Sequence, residues 1–577
     1  MSNTTTVSGL RADRRTVLCL ALLAWFLNLY FYSGFYASDD ISYLGGIQRL
    51  AARTPIDPAN IAHTRLMVIG PAAIVYRLFG DTTLAILSYT LYHPVLVGLT
   101  YALGRLAFDS ATGVLGALLV ALSPLFYVYG GAALPDNTLS VWLAALLLLT
   151  VWTLQRVRAG ELSPRGELLQ WLCVGAFTGL AYSAKEPGIV VTVPIAIGIL
   201  WLRLSDGVRW RALGGAVAYG VGVVLFMLLE TVTLRALSGV WVVRLLSGVG
   251  SAETVDALKQ RVSIQGLWPL DRLRFLYGRG GEYGGYALAV FSIAQLAAWP
   301  LLRARGGLPD QRRYLGLLLG FWVWLFAYLS FGTTNFEHYL PPPLQHPRYF
   351  SVCLVPAWLI TAAVARRTVA LARERLPAGH VAARALGVLP VLVVSLWGAG
   401  LFVHFEPDAG NVYRAAQAKS ALAAFEDARR LYPERPVVLS EYWSKRFAPL
   451  LTARGCSACS HIVTRVTSRA ELPERPFVAL LASEEYHDTL GPAIELLQRS
   501  GELKLEPIGQ GSYLAPRGRR AQLRAALYPL LGELSEPDWP LAKASQAVRL
   551  YLVSDASAPP AAAVAPAAPV APASIAP

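Results

Sequence analysis

Asp39 and Asp40 stand side by side in an aromatic, apolar setting, Phe31-Tyr-Ser-Gly-Phe-Tyr-Ala-Ser-Asp-Asp-Ile-Ser-Tyr43, just past the first apolar run of the chain. Asp136, in Gly130-Gly-Ala-Ala-Leu-Pro-Asp-Asn-Thr138, falls at a break between two further apolar runs, and Glu230 lies inside another, Val223 to Leu234. Cations occupy similar places. Arg65 follows His63; Lys185 and Glu186 share Tyr182-Ser-Ala-Lys-Glu-Pro-Gly188; His346 and Arg348 share Gln345-His-Pro-Arg-Tyr-Phe350. Ionisable groups at or within apolar spans are costly, which makes each a candidate for function. A positioned carboxylate can take the proton of an attacking hydroxyl. Fixed cations stabilise charge developing on a departing oxygen, and arginine can grip phosphate with two parallel hydrogen bonds. Asp, Glu and His together also admit a divalent metal, though no spacing demands one. Structural roles compete with these. Asp136 could be a helix N-cap, Lys185 and Arg348 could snorkel from span ends, and Glu230 could reach water at its span end. His93-Pro94 reads as a kink with a hydrogen-bonded histidine.

The elements that must position these residues are membrane helices. Of 577 residues, 55% are hydrophobic and only 15% charged, and mean hydropathy is +0.45. A soluble chain of this length exposes far more charge, and a helix crosses a bilayer with about 20 apolar residues. Apolar runs lie near 16–36, 83–107, 113–131, 138–155, 169–184, 188–204, 213–234, 284–302, 314–332, 349–365 and 385–404. The expectation is a polytopic all-α domain of about eleven spans. Arg11, Arg14 and Arg15 place the N-terminus in the cytoplasm, and the first run reads as an uncleaved anchor. Alternate connections then carry the arginine excess: Arg156, Arg158 and Arg165; Arg203, Arg209 and Arg211; Arg303, Arg305, Arg312 and Arg313; Arg366, Arg367, Arg373 and Arg375. The candidate site residues all fall on the other, outward side. The net charge of +14 is thus spent on topology, and no continuous basic surface or motif points to nucleic acid.

Residues 37–80 form a first outward loop in which Ile41, Leu44, Ile47 and Leu50 recur at helical spacing, as in a helix lying in the interface. The apolar stretch 67–79 is too short to span and reads as a second interfacial or re-entrant piece. A long outward loop covers 235–283. After residue 404 the composition becomes globular. Pro436-Val-Val-Leu-Ser440 and Phe477-Val-Ala-Leu-Leu-Ala482 predict short buried strands, and 505–515 a turn followed by a strand, within a small extracytoplasmic α/β domain over 405–555. The Ala/Pro tail 556–577 is expected to be disordered. Cys456 and Cys459 could form a local disulfide in that compartment, since half of a zinc site is missing.

Ser38-Asp-Asp-Ile-Ser-Tyr43, Arg65 through Phe79-Gly80, Asp136 before the fourth span, Lys185-Glu-Pro187 and Pro347-Arg-Tyr349 together resemble a known pattern. Residues 1–404 look like a GT-C superfamily glycosyltransferase, similar to bacterial relatives of protein O-mannosyltransferases and of lipid A aminoarabinose transferases. The resemblance implies a multi-pass enzyme of the inner (plasma) membrane. It would take a sugar from a polyprenyl-phosphate donor on the extracytoplasmic side and pass it, with inversion, to a glycan, lipid or protein acceptor. It implies a base, or a metal ligand, at Asp39 or Asp40, with Asp136 in the catalytic set. Arg65 is implied as the donor phosphate contact; Lys185 and Arg348 are the other available cations. His63, Glu186, Glu230 and His346 are supporting or metal-binding candidates. A transporter or flippase would place its charges at mid-membrane in repeated halves, and no such repeat is present. A glycan polymerase or ligase is the other alternative.

Overall fold

The computed structural model describes residues 7–31, 39–244, 269–278, 285–303, 309–333, 347–375 and 381–404, and five strands with a few flanking residues between 428 and 555. The chain divides into two compact units, Met1–Ala418 with Leu514–Ala544, and Lys419–Tyr513 with Ser545–Pro577.

The first unit is helical. In chain order its described helices are α1 (Val7–Tyr30), α2 (Asp39–Ala51), α3 (Ile61–Thr64), α4 (Leu66–Phe79), α5 (Thr82–Leu87), α6 (Tyr92–Ala107), α7 (Ser110–Ala121), α8 (Pro124–Tyr129) and α9 (Pro135–Arg158). There follow α10 (Pro164–Ala184), α11 (Thr192–Ser205), α12 (Arg209–Ser238), α13 (Pro269–Gly278), α14 (Gly285–Arg303), α15 (Pro309–Phe331), α16 (Ser351–Arg375) and α17 (Val381–His404). Every apolar run of the sequence holds a helix. Among the described residues six stretches are long and apolar enough to cross a membrane: Thr82–Ala107, Pro135–Arg158, Glu186–Ser205, Arg209–Ser238, Gln311–Phe331 and Arg348–Glu374.

Local chemistry sets the helix ends. Asp109 caps α7 by accepting from the Thr112 amide, and Ser163 caps α10 through the Gly166 amide, with Pro164 at the first helical position. The tightest helix contact lies between α10 and α12. A Cβ on Gly175 would stand 2.0 Å from the Tyr219 carbonyl oxygen, and one on Gly222 would stand 2.1 Å from that of Leu172. Only glycine permits the two backbones to approach so closely. The His93-Pro94 pair lies in the first turn of α6, after a 3-10 turn at Ser88–Leu91. His93 is buried, with Nε2 3.0 Å from the Val120 carbonyl oxygen, as the sequence reading anticipates.

Helix α2 carries the expected period: Ile41, Leu44 and Ile47 are buried, and the helix packs on α4. The opposite face of α4 exposes Ile74, Leu78 and Phe79, an apolar surface that suits lipid. The arginine-bearing connections converge at one end of the bundle. There Asp206 meets Arg158, Arg203 and Arg313, and Glu167 pairs with Arg203. Asp136, Lys185 and Glu230 lie towards the opposite ends of α9, α10 and α12.

The second unit contains a five-stranded sheet of order β2-β1-β3-β5-β4, from β1 (Val437–Ser440), β2 (Ser460–Val463), β3 (Phe477–Leu481), β4 (Leu503–Gly511) and β5 (Val548–Asp555). β1 lies parallel to β2 and β3, while β5 runs antiparallel to β3 and β4. The turn expected at 505–510 is instead strand, interrupted by an irregularity between Pro507 and Gly509. The segments between most strands, with Cys456 and Cys459, lie outside the described residues.

Candidate functional site

Asp136 is the second residue of α9, after Pro135. The N-cap position belongs to Leu134, which has no capping side chain, so the capping role considered for Asp136 is not the one it plays. Its buried carboxylate accepts a hydrogen bond from Lys185 Nζ at 2.6 Å through Oδ1. Its Oδ2 lies 3.4 Å from Arg348 Nε. Lys185, at the end of α10, and Arg348, in a 3-10 turn before α16, therefore converge on one carboxylate from two different elements. The Tyr349 ring lies below both: Lys185 Nζ is 4.0 Å from its centroid and the Arg348 guanidinium carbon 5.6 Å. These are cation–π distances. Lys185 is held by a partner and does not snorkel.

One residue further, Glu186 holds two arginines. Arg65 donates Nε at 3.3 Å and Nη2 at 2.5 Å to its two oxygens, the bidentate fork expected of guanidinium and carboxylate. Arg65 also donates to the Tyr43 hydroxyl. Arg244 donates Nη2 to Glu186 at 2.5 Å, and Nη1 to Glu230 at 2.8 Å and to the Ser183 carbonyl at 3.2 Å. Glu230 is buried and paired; it does not reach water from the span end. The set alternates in sign: Arg65, Glu186, Arg244 and Glu230 along one branch, Lys185, Asp136 and Arg348 along the other, joined by the peptide between Lys185 and Glu186.

Asp40 is buried in the first turn of α2. Tyr43, three positions on, shares its face and carries Arg65 on its hydroxyl. That places Asp40 on the side of α2 turned towards the charged branch. Asp39 opens the same helix; its side chain and all of His346 lie outside the described residues.

His63 sits in α3 as a strut. Its Nδ1 accepts the Asp57 amide at 3.3 Å, and its ring lies against Gly46 of α2, where a Cβ would be 3.0 Å from it. Burial pushes this imidazole below its ordinary value, against a smaller upward pull from Asp57. Among the described residues no three His, Cys, Asp or Glu side chains gather as metal ligands. Asp136, Glu186 and Glu230 each face cations, a donor set that does not suit a metal.

Of the residues that the sequence puts on one face, Arg65, Asp136, Lys185, Glu186, Glu230 and Arg348 meet in this network, and His63 braces the loop beside it. Arg244 carries no signal in the sequence, and Tyr43, Tyr182 and Tyr349, though they stand in the quoted motifs, are given no site role there. Arg244 stood in a long loop whose positive charge its length explained, yet it follows the apolar Val240-Trp-Val-Val and is buried, with its guanidinium carbon 4.9 Å from the Tyr182 ring.

Residues 67–234 match the family described as dolichyl-phosphate-mannose-protein mannosyltransferase. That segment contains Asp136, Lys185, Glu186 and Glu230. No curated protein matches the chain. Among solved structures, the chain is similar to the archaeal oligosaccharyltransferase AglB from Archaeoglobus fulgidus, in complex with an inhibitory peptide and a dolichol-phosphate. The TM-score is 0.50 at 12% identity, covering 93% of this chain and 72% of that one. ArnT from Cupriavidus metallidurans, bound to undecaprenyl phosphate, matches with a TM-score of 0.49 at 15% identity, covering 89% and 97%. The family match and the shared fold agree with the GT-C resemblance read from the sequence.

Proposed function

We propose that this protein is an integral membrane glycosyltransferase that moves a sugar from a polyprenyl-phosphate donor to an acceptor outside the cytoplasm. The observation that carries the reading is the meeting of Lys185 and Arg348 at Asp136, above Tyr349, at the end of the bundle that also holds Asp40. The mannosyltransferase family match over 67–234 supports it. So does the fold shared with an oligosaccharyltransferase solved with dolichol-phosphate.

In this reading the lipid tail lies along the exposed apolar face of α4, and the phosphate is held by Lys185 and Arg348. The acceptor oxygen attacks the anomeric carbon as its proton passes to Asp39 or Asp40. The bond from that carbon to the phosphate oxygen breaks, and the electron pair stays on the phosphate, where the two cations stabilise it. A single displacement of this kind inverts the anomeric centre. Arg65, first expected on the phosphate, is fixed by Glu186 and Tyr43; its proposed part is to hold α2 and its carboxylates to the core. A divalent metal would need Asp39 and Asp40 as ligands. The fold likeness to an oligosaccharyltransferase also favours a second reading, transfer of a whole lipid-linked glycan.

The test is transfer from radiolabelled polyprenyl-phosphate sugars in membranes carrying the wild type or Asp40→Asn and Asp39→Asn. Loss of transfer in at least one folded variant is expected. Full activity in both removes the proposed base.

A further inference from the structure

The cations of the site are not held alike. Arg244 is saturated by Glu186, Glu230 and the Ser183 carbonyl, and Arg65 by both oxygens of Glu186 and by Tyr43. Asp136 grips its two cations unevenly, with one hydrogen bond at 2.6 Å to Lys185 and one 3.4 Å approach to Arg348, where its Oδ2 accepts no hydrogen bond. Tyr349 would keep both cations in place if Asp136 withdrew. Asp136 itself has a second place to go. It lies in the first turn of a 24-residue helix whose N-cap, Leu134, offers no capping side chain. The amides and dipole of that end favour a carboxylate.

We propose that Asp136 is an internal competitor of the donor phosphate: the phosphate takes Lys185 and Arg348 from it, and the carboxylate turns to the uncapped amides of α9. This rests on the transferase reading above and adds an order to it. The donor binds first, and the carboxylate leaves the two cations for the end of α9 only with the donor in place. Asp136 is thus a positioning residue that lowers donor affinity while raising turnover. Removing its charge takes a counter-charge from two half-buried cations, which increases their demand for an anion.

The experiment compares wild type, Asp136→Asn and Asp136→Glu in lipid nanodiscs, measuring affinity for undecaprenyl phosphate and the thermal shift it produces, alongside transfer. The expected result for Asp136→Asn is binding tighter by about tenfold, the effect of losing one competing charge, with a larger thermal shift and slower transfer. Asp136→Glu, which keeps the charge, is expected to bind no more tightly than wild type. Inorganic phosphate at the same concentration is expected to give a smaller shift, and an equal shift would contradict a lipid-phosphate occupant. Lys185→Gln added to Asp136→Asn should cancel the gain. Binding by wild type that is unchanged or weaker in Asp136→Asn overturns the exchange alone; no binding by either overturns the transferase reading with it. If Asp136→Asn does not fold, infrared difference spectra of wild type labelled with 13C-aspartate decide. An altered aspartate carboxylate band on adding undecaprenyl phosphate supports the exchange, and an unaltered one ends it.

Discussion

At the scale of single residues, Glu186 carries the most. Its two oxygens are divided between Arg65 and Arg244, so one side chain fixes the first loop and the segment after α12 together. Replacing it with Gln would leave the buried Arg244 and the half-buried Arg65 with less counter-charge, and breaking fully buried pairs costs about 3–5 kcal/mol, the upper bound for this partly exposed carboxylate. Glu186→Gln should therefore lower thermal stability in detergent and reduce transfer; unchanged melting would show that the two arginines have other support. Asp136, Lys185 and Arg348 were legible in the sequence because few charges stand in the short connections opposite the arginine-rich ones. Arg244 was not, because a long loop tolerates arginine for reasons of topology, and only its burial separates it from that background. The pairing itself, which cation on which carboxylate, depends on partners as far apart as Arg65 and Glu186 and has no local signal.

At the scale of elements, the α2–α3–α4 loop ties the carboxylates of α2 to the bundle. His63 fastens it as a neutral base accepting the Asp57 amide. Its affinity for protons is lower in the fold than its ordinary value of 6.5, so the unfolded loop binds more protons below that pH. The contribution is full above 6.5 and is lost as the pH falls through the depressed value. Protection of the amides of 52–66, after correction for the intrinsic pH dependence of exchange, should fall on acidification from pH 7.5 to 5, and His63→Gln should flatten that response. An acid response retained in the variant would place the switch elsewhere. The α10–α12 crossing gives a harsher test. Gly175→Leu would drive a side chain into the Tyr219 carbonyl, a cost of about 3 kcal/mol or more, seen as loss of folded protein on size exclusion. The period of Ile41, Leu44 and Ile47 made α2 legible. β2 and β5 were missed: β2 has four residues, and β5 finds its place by pairing with β3 and β4 far away in sequence.

At the scale of the whole molecule, the two ends of the helical bundle differ in charge pattern. One end gathers the arginine-rich connections around Asp206, and the other gathers the alternating network around Glu186. By the positive-inside rule, the proposed topology turns the site away from the cytoplasm. A membrane-impermeant maleimide should label Ala59→Cys in intact cells and reach Glu161→Cys only after permeabilisation; the reverse would invert the proposed topology. The eleven apolar runs all hold helix, but among the described residues only six stretches reach span size; the run 113–131, for one, breaks into α7 and α8 at Ser123-Pro124. That break falls where Pro124 opens α8, a residue that starts a helix and does not continue one, which hydropathy does not register.

The central claim is that the chain consumes a polyprenyl-phosphate sugar at the end of the bundle marked by Asp40 and Asp136. Mass spectrometry of surface glycans and polyprenyl-phosphate lipids, in cells with the wild type, without the protein, and with Asp40→Asn, tests it most directly. The account predicts one sugar missing from the glycans and its lipid-linked donor accumulating in the latter two strains. Identical glycans and lipid pools in all three would contradict it.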